Sequence, residues 1–480
     1  MFRLIIIVLL AVAGACAAEG KLSIVTCMVK PQLLFFENEI IEPYARENHL
    51  TIEVINIPEI EDIEGFLRKR KNAALCMVPF GKAWSFVDKE IVQAVTPALS
   101  EQEERVFNEE YILTWLGKKG NDQYFLPRKY ETRIMVYRKS KVAAALDVWK
   151  TGESLRDSVN SLVGKVNGTG LPRGYALEAD PAEWDFFDVL VIGMVWKSMS
   201  GSKMAGRIGH RAKHYSGTAL RIIDRVYQCG GDSLTMLAMN GDAVIDAFTW
   251  EAVYASFGVY NSDMMKNRWS GSDLWAEFAH ELIYLSFLTQ IDCFFVHGNG
   301  DVRMAGALQS PQDLGFATMP KGCSIECRKD STLKRTGTKA ITNGGWWWAV
   351  PASCKDVRRS FKLFEHITSR ENQLRECPTF GMIPVRSDVL KNDLLLVKSG
   401  WISDVFRTSY MQVKINNNFV VPAQGEFDAV STLYLDAWKA IVCGGKWGEK
   451  RKNFPDRDFI GNYLGERYVS RANKIFEENR

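Results

Sequence analysis

The chain has 480 residues, 46% hydrophobic and 24% charged, and a formal net charge of +3. That length exceeds one ordinary core and that polarity excludes a disordered chain, so a folded protein of two lobes is expected. The nearly balanced charge argues against nucleic acid or a membrane surface as partner, and the basic run at Arg68–Lys71 reads as a solvated helix end.

Arg3, an apolar run over residues 4–12 and small residues over 13–18 have the three-part pattern of a secretory signal, here residues 1–18. Cys16, behind Ala13, Gly14 and Ala15, leaves a lipid anchor open beside ordinary cleavage. No later run of about 18 uncharged apolar residues occurs, so an exported, soluble product is expected. Ten cysteines in such a chain suggest disulfides rather than metal. Cys27 and Cys76 fall in predicted strands, Cys323 and Cys327 in one polar loop, and Cys354 and Cys377 on either side of a helix. A bond from Cys27 to Cys76 is the favoured pairing, with two buried thiols as the alternative.

Residues 22–29, 51–56 and 73–78 read as strands, and residues 32–47 and 63–70 as helices, the first kinked at Pro43. This β-α-β-α-β order predicts a parallel sheet with right-handed crossovers. Ligands of such sheets lie beyond the carboxyl ends of the strands, which places Lys30 and Trp84 at a binding crevice. Residues 124–137 read as a turn and then a strand. Residues 180–198 read as a core helix and 274–288 as a further helix. Trp149, Trp184, Trp196 and Trp438 are assigned to the core.

The stretch NGGWWWAVPASCKDVRRSFKLFEHITSRENQ, from Asn343, carries the most information. Two glycines and three tryptophans lead into a strand ending at Pro351. Ser353 reads as the N-cap of a helix with Asp356 three residues on, and Val357, Phe361, Phe364 and Ile367 form its buried face. A glycine pair beside indoles lets a flat ligand approach the backbone and stack, which selects Trp346 and Trp347.

The order of these parts, with Thr368-Ser369 at the helix end and then Gly381, Pro384, Val385 and Arg386, resembles bacterial extracellular solute-binding proteins of family 1, the maltose-binding type. The resemblance covers about residues 21–446. It implies an α/β, two-lobed periplasmic-binding-protein fold (type II) with three inter-lobe crossings. Lobe I would hold residues 19–132 and 342–395; lobe II would hold 133–341 and 396–480, including the C-terminal tail. The implied function is the solute-binding component of an ABC importer, with a carbohydrate or sugar-phosphate-like solute in an interlobe cleft. An inner-membrane ABC permease is the implied partner of a monomeric periplasmic protein, with no cofactor, metal or nucleic acid. Glu131 matches a polar cleft residue of sugar-binding relatives, with a salt bridge to Arg128, Lys129 or Arg133 as its alternative. The glycine-led strand that ends in a cleft-facing Trp has two candidates, residues 240–254, which contain Trp250, and residues 300–306. The segment VPFGKAW departs from the maltose-binding pattern. With Lys30, Arg128, Lys129 and Arg133 it gives the crevice a basic bias that leaves room for an acidic sugar.

Signals for catalysis are poor. His280-Glu281 lacks a His at 284, and His210 and His214 fit a solvated basic helix better than a metal site. Asp185 and Asp188 could serve glycoside hydrolysis only if something fixed them across a cleft. Asn167 heads a formal glycosylation sequon. A secreted carbohydrate-active enzyme and a ligand-sensing partner of a membrane receptor remain the alternatives.

Overall fold

The strands of the two main sheets are, in chain order, β1 (Lys21–Thr26), β2 (Thr51–Asn56), β3 (Ala73–Pro79), β4 (Val92–Gln93), β5 (Phe125–Glu131), β6 (Arg133–Arg138), β7 (Arg207–Gly209), β8 (Ile283–Thr289), β9 (Leu314–Ala317) and β10 (Gly344–Pro351). The computed structural model describes residues 21–57, 62–70, 72–201, 205–297, 311–390, 400–416, 426–448 and 454–478. The signal segment, Cys16 and the candidate strand at 300–306 lie outside the described residues. The chain divides into two units. The first holds Met1–Lys129, Trp346–Cys377 and Pro384–Lys391; the second holds Tyr130–Gly345, Pro378–Ile383 and Asn392–Arg480.

The sheet of the first unit has the order β2-β1-β3-β10-β4, with β5 also paired to β10. β1 runs parallel to β2 and to β3, as the β-α-β-α-β reading requires. β3 reads Ala-Ala-Leu-Cys-Met-Val without polar alternation, and all six side chains are buried, as expected of a strand covered on both faces. The first crossover runs Lys30–Phe35, widens into a π turn over Phe36–Ile41 and continues as Glu42–Glu47. The wide turn ends just before Pro43, whose ring would clash with a carbonyl of a regular helix and which has no N–H to donate.

After β10 the helix Val357–Ile367 is capped by Asp356, which accepts the Arg359 N–H at 2.9 Å. Ser353 is therefore not the cap; its hydroxyl donates to the Arg70 carbonyl at 3.0 Å. The helix begins later than the sequence pattern suggests because the chain first turns at Cys354, whose N–H donates to the Pro351 carbonyl.

The sheet of the second unit has the order β9-β6-β8-β7, with β6 antiparallel to both β8 and β9 and β7 parallel to β8. Helix Phe186–Ser200 is buried from Phe186 to Trp196, so it shows no amphipathic stripe. Residues 240–254 form not a strand but most of a second internal helix, Asp242–Ser256, buried on nearly every side. Its Ala-rich sequence has helix propensity and lacks the period-two alternation of a half-exposed strand. The stretch at 274–288 is also corrected: a helix, Gly271–Ala279, gives way to β8, whose Ile-Tyr-Leu-Ser-Phe-Leu-Thr sequence suits a strand. Helices Arg457–Leu464 and Ser470–Glu478 make the tail part of this unit. Arg457 bonds Asp246 at 2.7 Å, and the helix of Gly461 packs against Ile245.

Among the described residues no disulfide is formed. Val25 is the register partner of Cys76, so Cys27 lies two residues further along the neighbouring strand direction. That diagonal is roughly 8 Å between Cα atoms, beyond disulfide reach. Cys76 instead donates to the Ala349 carbonyl, and Cys354 pairs with the Ser360 hydroxyl. Cys323 and Cys327 take separate positions in one ladder, opposite Thr336 and Leu333. Cys377 is fully buried and burial raises its thiol pKa.

Candidate functional site

Parallel strands deliver their carboxyl ends to one edge, and an antiparallel neighbour begins there. In the second unit Thr289, the last residue of β8, pairs with Arg133, the first of β6, and β7 ends at the level of Ser286. Residues just before β6 and just after β7 and β8 therefore meet at this edge: Glu131, Arg211 and Asp292. Gln290 fixes the first of these. Its buried amide accepts the Thr132 N–H at 3.1 Å and donates to the Tyr130 carbonyl at 3.3 Å, clasping the backbone on both sides of Glu131.

Asp292 organises the rest. Its Oδ2 accepts the Thr289 N–H at 3.2 Å, the Thr289 hydroxyl at 2.9 Å and an Arg211 guanidinium N–H at 2.6 Å. Its Oδ1 accepts the Trp275 indole N–H at 3.1 Å. Trp275 lies flat on Phe295, centroids 3.8 Å apart. Arg211 keeps 25% of its side-chain surface exposed and Trp275 is half-buried, so both side chains reach the surface in part. A Cβ at position 271 would stand 3.1 Å from Arg211 Nη2 and 3.2 Å from Asp292 Oδ1, so a larger residue there would press on this pair. Burial opposes the Arg211 charge, but Asp292, Tyr215 and Glu131 hold its pKa above the usual range.

A buried network supports this edge. His210 Nδ1 is 2.7 Å from the Arg211 carbonyl, and Glu251 accepts from Arg221, Arg225, Tyr260 and Trp438. Burial, with Arg221 beside it, pushes the His210 pKa well below normal, so the ring is neutral. Although burial opposes its charge, the two arginines hold Glu251 well below the usual carboxylate range. His210 is thus a packed core residue and not part of a solvated helix; His214 is exposed, 3.5 Å from Asp436. Among the described residues no group of three or more His, Cys, Asp or Glu is placed to hold a metal ion.

In the first unit the corresponding strand ends carry Lys30 and Trp346. Asn56, at the end of β2, accepts the Met28 N–H at 2.8 Å and donates to its carbonyl at 3.0 Å, which fixes the turn leading to the exposed Lys30. Trp346 pairs with Pro79 at the end of β3 and is half-buried. The Lys129 ammonium lies 5.8 Å from its ring centroid.

The other aromatic candidates are corrected to core. Trp347 is 2% exposed and stacks on Phe80 at 4.2 Å, and Trp84 is 6% exposed with its ring edge-on to Phe125. Trp250 has no exposed surface; Phe186 and Phe187 pack against it and its indole donates to the Cys323 carbonyl at 2.7 Å. The basic bias is reduced: Arg128 is buried against Glu376 in the first unit, and Arg133 against Asp224 in the second.

Asp185 and Asp188 close a capping box at the start of helix Phe186–Ser200, and Asp188 also accepts from Tyr175 at 2.9 Å. Helix capping accounts for the placement of both carboxylates. The Asn167 amide donates to the Gly170 and Ile325 carbonyls, each at 2.9 Å, so its nitrogen closes a loop.

Sequence reading missed Arg211, Trp275 and Asp292. A usable signal was present: Thr289-x-x-Asp292 after an apolar strand is a local cap, and such caps mark strand-to-helix turns at ligand edges.

No curated protein matches this chain. Its fold is similar to that of several solved proteins. The maltose-bound MalE3 of T. maritima shares 14% identity at a TM-score of 0.65, over 93% of this chain and 99% of that one. An ABC transporter solute-binding protein of Thermotoga lettingae bound with alpha-D-tagatose shares 15% at 0.64, over 95% and 100%. A solute-binding protein of Agrobacterium radiobacter in complex with ribitol shares 12% at 0.64, over 93% and 98%. The family profile described as bacterial extracellular solute-binding protein matches residues 39–400, and the chain belongs to that family.

Proposed function

We propose that this protein is the exported binding component of an ABC importer and takes a carbohydrate as its solute. The observation that carries this reading is the edge of the second unit, where the Arg211 guanidinium, oriented by Asp292, stands beside the Trp275 ring stacked on Phe295. Rings stack on the C–H faces of sugars, and a guanidinium–carboxylate pair offers donors and acceptors to hydroxyls. Glu131 is assigned to the solute at this edge, and Lys30 and Trp346 at the strand ends of the first unit are proposed as sugar contacts of that unit. Relatives solved with maltose, tagatose and ribitol support a polyhydroxylated ligand. The residues 1–18 signal pattern supports export to the periplasm, with release or anchoring decided at Cys16. An inner-membrane permease would receive the solute.

A screen of intrinsic fluorescence against a carbohydrate library, followed by calorimetry, tests the reading. Micromolar affinity, about −8 kcal/mol, is expected for at least one sugar, recovered chemically unchanged. Arg211→Ala should weaken it roughly 5- to 150-fold, the cost of about one buried charge-assisted hydrogen bond. Binding confined to peptides or metal ions would overturn the proposal, and turnover of the sugar would replace it with an enzyme.

A further inference from the structure

We infer that Asn416 is a positioning residue for the solute edge of the second unit. Its buried amide fixes two distant chain segments of that unit and, through Thr132 and Gln290, the helix that carries Asp292. This inference rests on the reading of that edge as the solute site, and it adds a residue with no exposed surface of its own.

A carboxamide has two N–H donors and two lone pairs on its oxygen, and burial makes any unused one costly. Asn416, the last residue of helix Trp401–Asn416, uses all four. Its Nδ2 donates to the Thr132 hydroxyl at 3.1 Å and to Asn343 Oδ1 at 2.8 Å. Its Oδ1 accepts the Ile341 N–H at 3.0 Å and an N–H of the Gln412 amide at 2.7 Å. Thr132 stands just after Tyr130, where the long piece of the second unit begins, and Asn343 just before Gly345, where it ends. One side chain thus pins both segments, 284 and 73 residues away in sequence. Thr132, Gln290, Asn343, Gln412 and Asn416 are all buried, so a bond lost here leaves its partner unsatisfied.

The connection to the edge runs through Thr132. While its hydroxyl accepts from Asn416, its N–H donates to Gln290 at 3.1 Å. Gln290 opens the helix Gln290–His297, and Asp292 lies in the first turn of that helix. Asp292 holds the Arg211 guanidinium at 2.6 Å and the Trp275 indole N–H at 3.1 Å, and Phe295 of the same helix stacks on the Trp275 ring. Three hydrogen bonds and one helix turn therefore lie between Asn416 and Arg211. Linked buried hydrogen bonds strengthen one another, so losing the first weakens the next. A guanidinium that drifts from its place loses bonds to sugar hydroxyls steeply, because those bonds depend on distance and angle.

The test uses the full-length protein, with maltose, D-glucose and D-galactose as probes, and the variants Asn416→Leu, Thr132→Val and Tyr434→Phe. Tyr434→Phe is the control. It removes one buried hydrogen bond of the same unit, from the hydroxyl to the Met236 carbonyl at 2.9 Å, and belongs to neither segment. Calorimetry at a temperature where every variant is folded should show Asn416→Leu weakening sugar binding about 10-fold and Thr132→Val about 3-fold, with Tyr434→Phe unchanged. Without sugar, amide exchange at Thr289, whose N–H is held by Asp292, should rise about 10-fold in Asn416→Leu and less in Thr132→Val. That N–H belongs to none of the bonds removed, so a merely structural loss would lower stability and leave both readouts at the parent value. Unchanged affinity or unchanged Thr289 exchange in folded Asn416→Leu would overturn the inference, as would equal effects from Tyr434→Phe. If Asn416→Leu does not fold, Thr132→Val decides by the same two readouts. If none of the three sugars binds, that result counts against the carbohydrate reading, and the exchange rates alone decide this inference.

Discussion

Arg128 and Glu376, 248 residues apart, form a bidentate ion pair in which neither side chain has any solvent exposure. The guanidinium also faces the rings of Phe36 and Trp348, 5.7 and 5.8 Å from their centroids. The pair joins β5 to the helix Arg370–Phe380 inside the first unit. Such a contact converts what looks in sequence like a cation for an acidic ligand into an internal fastening.

Removing one partner should therefore be costly and removing both much less so. Arg128→Met or Glu376→Leu leaves a buried charge without its counter-ion, at about 3–5 kcal/mol. The double variant Arg128→Met with Glu376→Leu should lie well above either single variant in stability. Urea denaturation of the four proteins closes the cycle. Additive losses would show that the two side chains do not act as a pair.

The tryptophans separate by the same logic of burial. Trp250→Ala should cost about 3–5 kcal/mol of stability, through the cavity and the orphaned Cys323 carbonyl. Trp346→Ala removes a half-buried ring and should cost less than about 2 kcal/mol while weakening sugar binding. Thermal unfolding of the apo proteins and calorimetry with the best ligand distinguish them. Equal stability losses would place Trp346 in the core as well.

The first sheet was legible because its signals are local. β1 and β3 show compact apolar runs and β2 alternates, and the crossover helices between them leave only a parallel arrangement. Helix Phe186–Ser200 was legible for the same reason. Helix Asp242–Ser256, equally without an amphipathic stripe, was read as a strand because its leading glycine and its Trp250 resemble the family's glycine-led strand. Charges were the hardest part. Nothing near Arg128 in sequence announces Glu376, and nothing near Arg133 announces Asp224; both partners arrive through long-range folding. Arg211 and Asp292 were missed for that reason too, since the strand register that joins them spans 81 residues.

Thiol chemistry should follow the packing. Cys76 and Cys293 are buried, and burial raises both thiols above their usual pKa, which suppresses the reactive thiolate. Cys443 is exposed, although burial of its sulfur pushes its pKa up to about 11. Slow labelling of Cys443 in the native protein is expected, with Cys76 and Cys293 reacting only after denaturation. Peptide mapping without reductant should recover Cys76 as a thiol. A Cys27–Cys76 linked peptide would contradict the strand register.

The last expectation concerns Asp185. Burial, and then the adjacent Asp188 carboxylate, raise its pKa to about 6, and Asp188 moves in the same direction. A carboxyl whose folded pKa exceeds its unfolded value near 3.9 binds its proton more tightly when folded. Its stabilising contribution is thus full below about pH 4 and is lost as the pH rises through about 6. Asp185→Asn keeps an acceptor for the Phe187 and Asp188 N–H groups, so the helix cap survives while the titration disappears. The variant should match or exceed the parent in stability at pH 7 and lose that advantage toward pH 4.5. Urea denaturation of both proteins between pH 4.5 and 7.5 measures the difference directly. A difference that is flat across this window would show that Asp185 is already fully ionised in the folded protein.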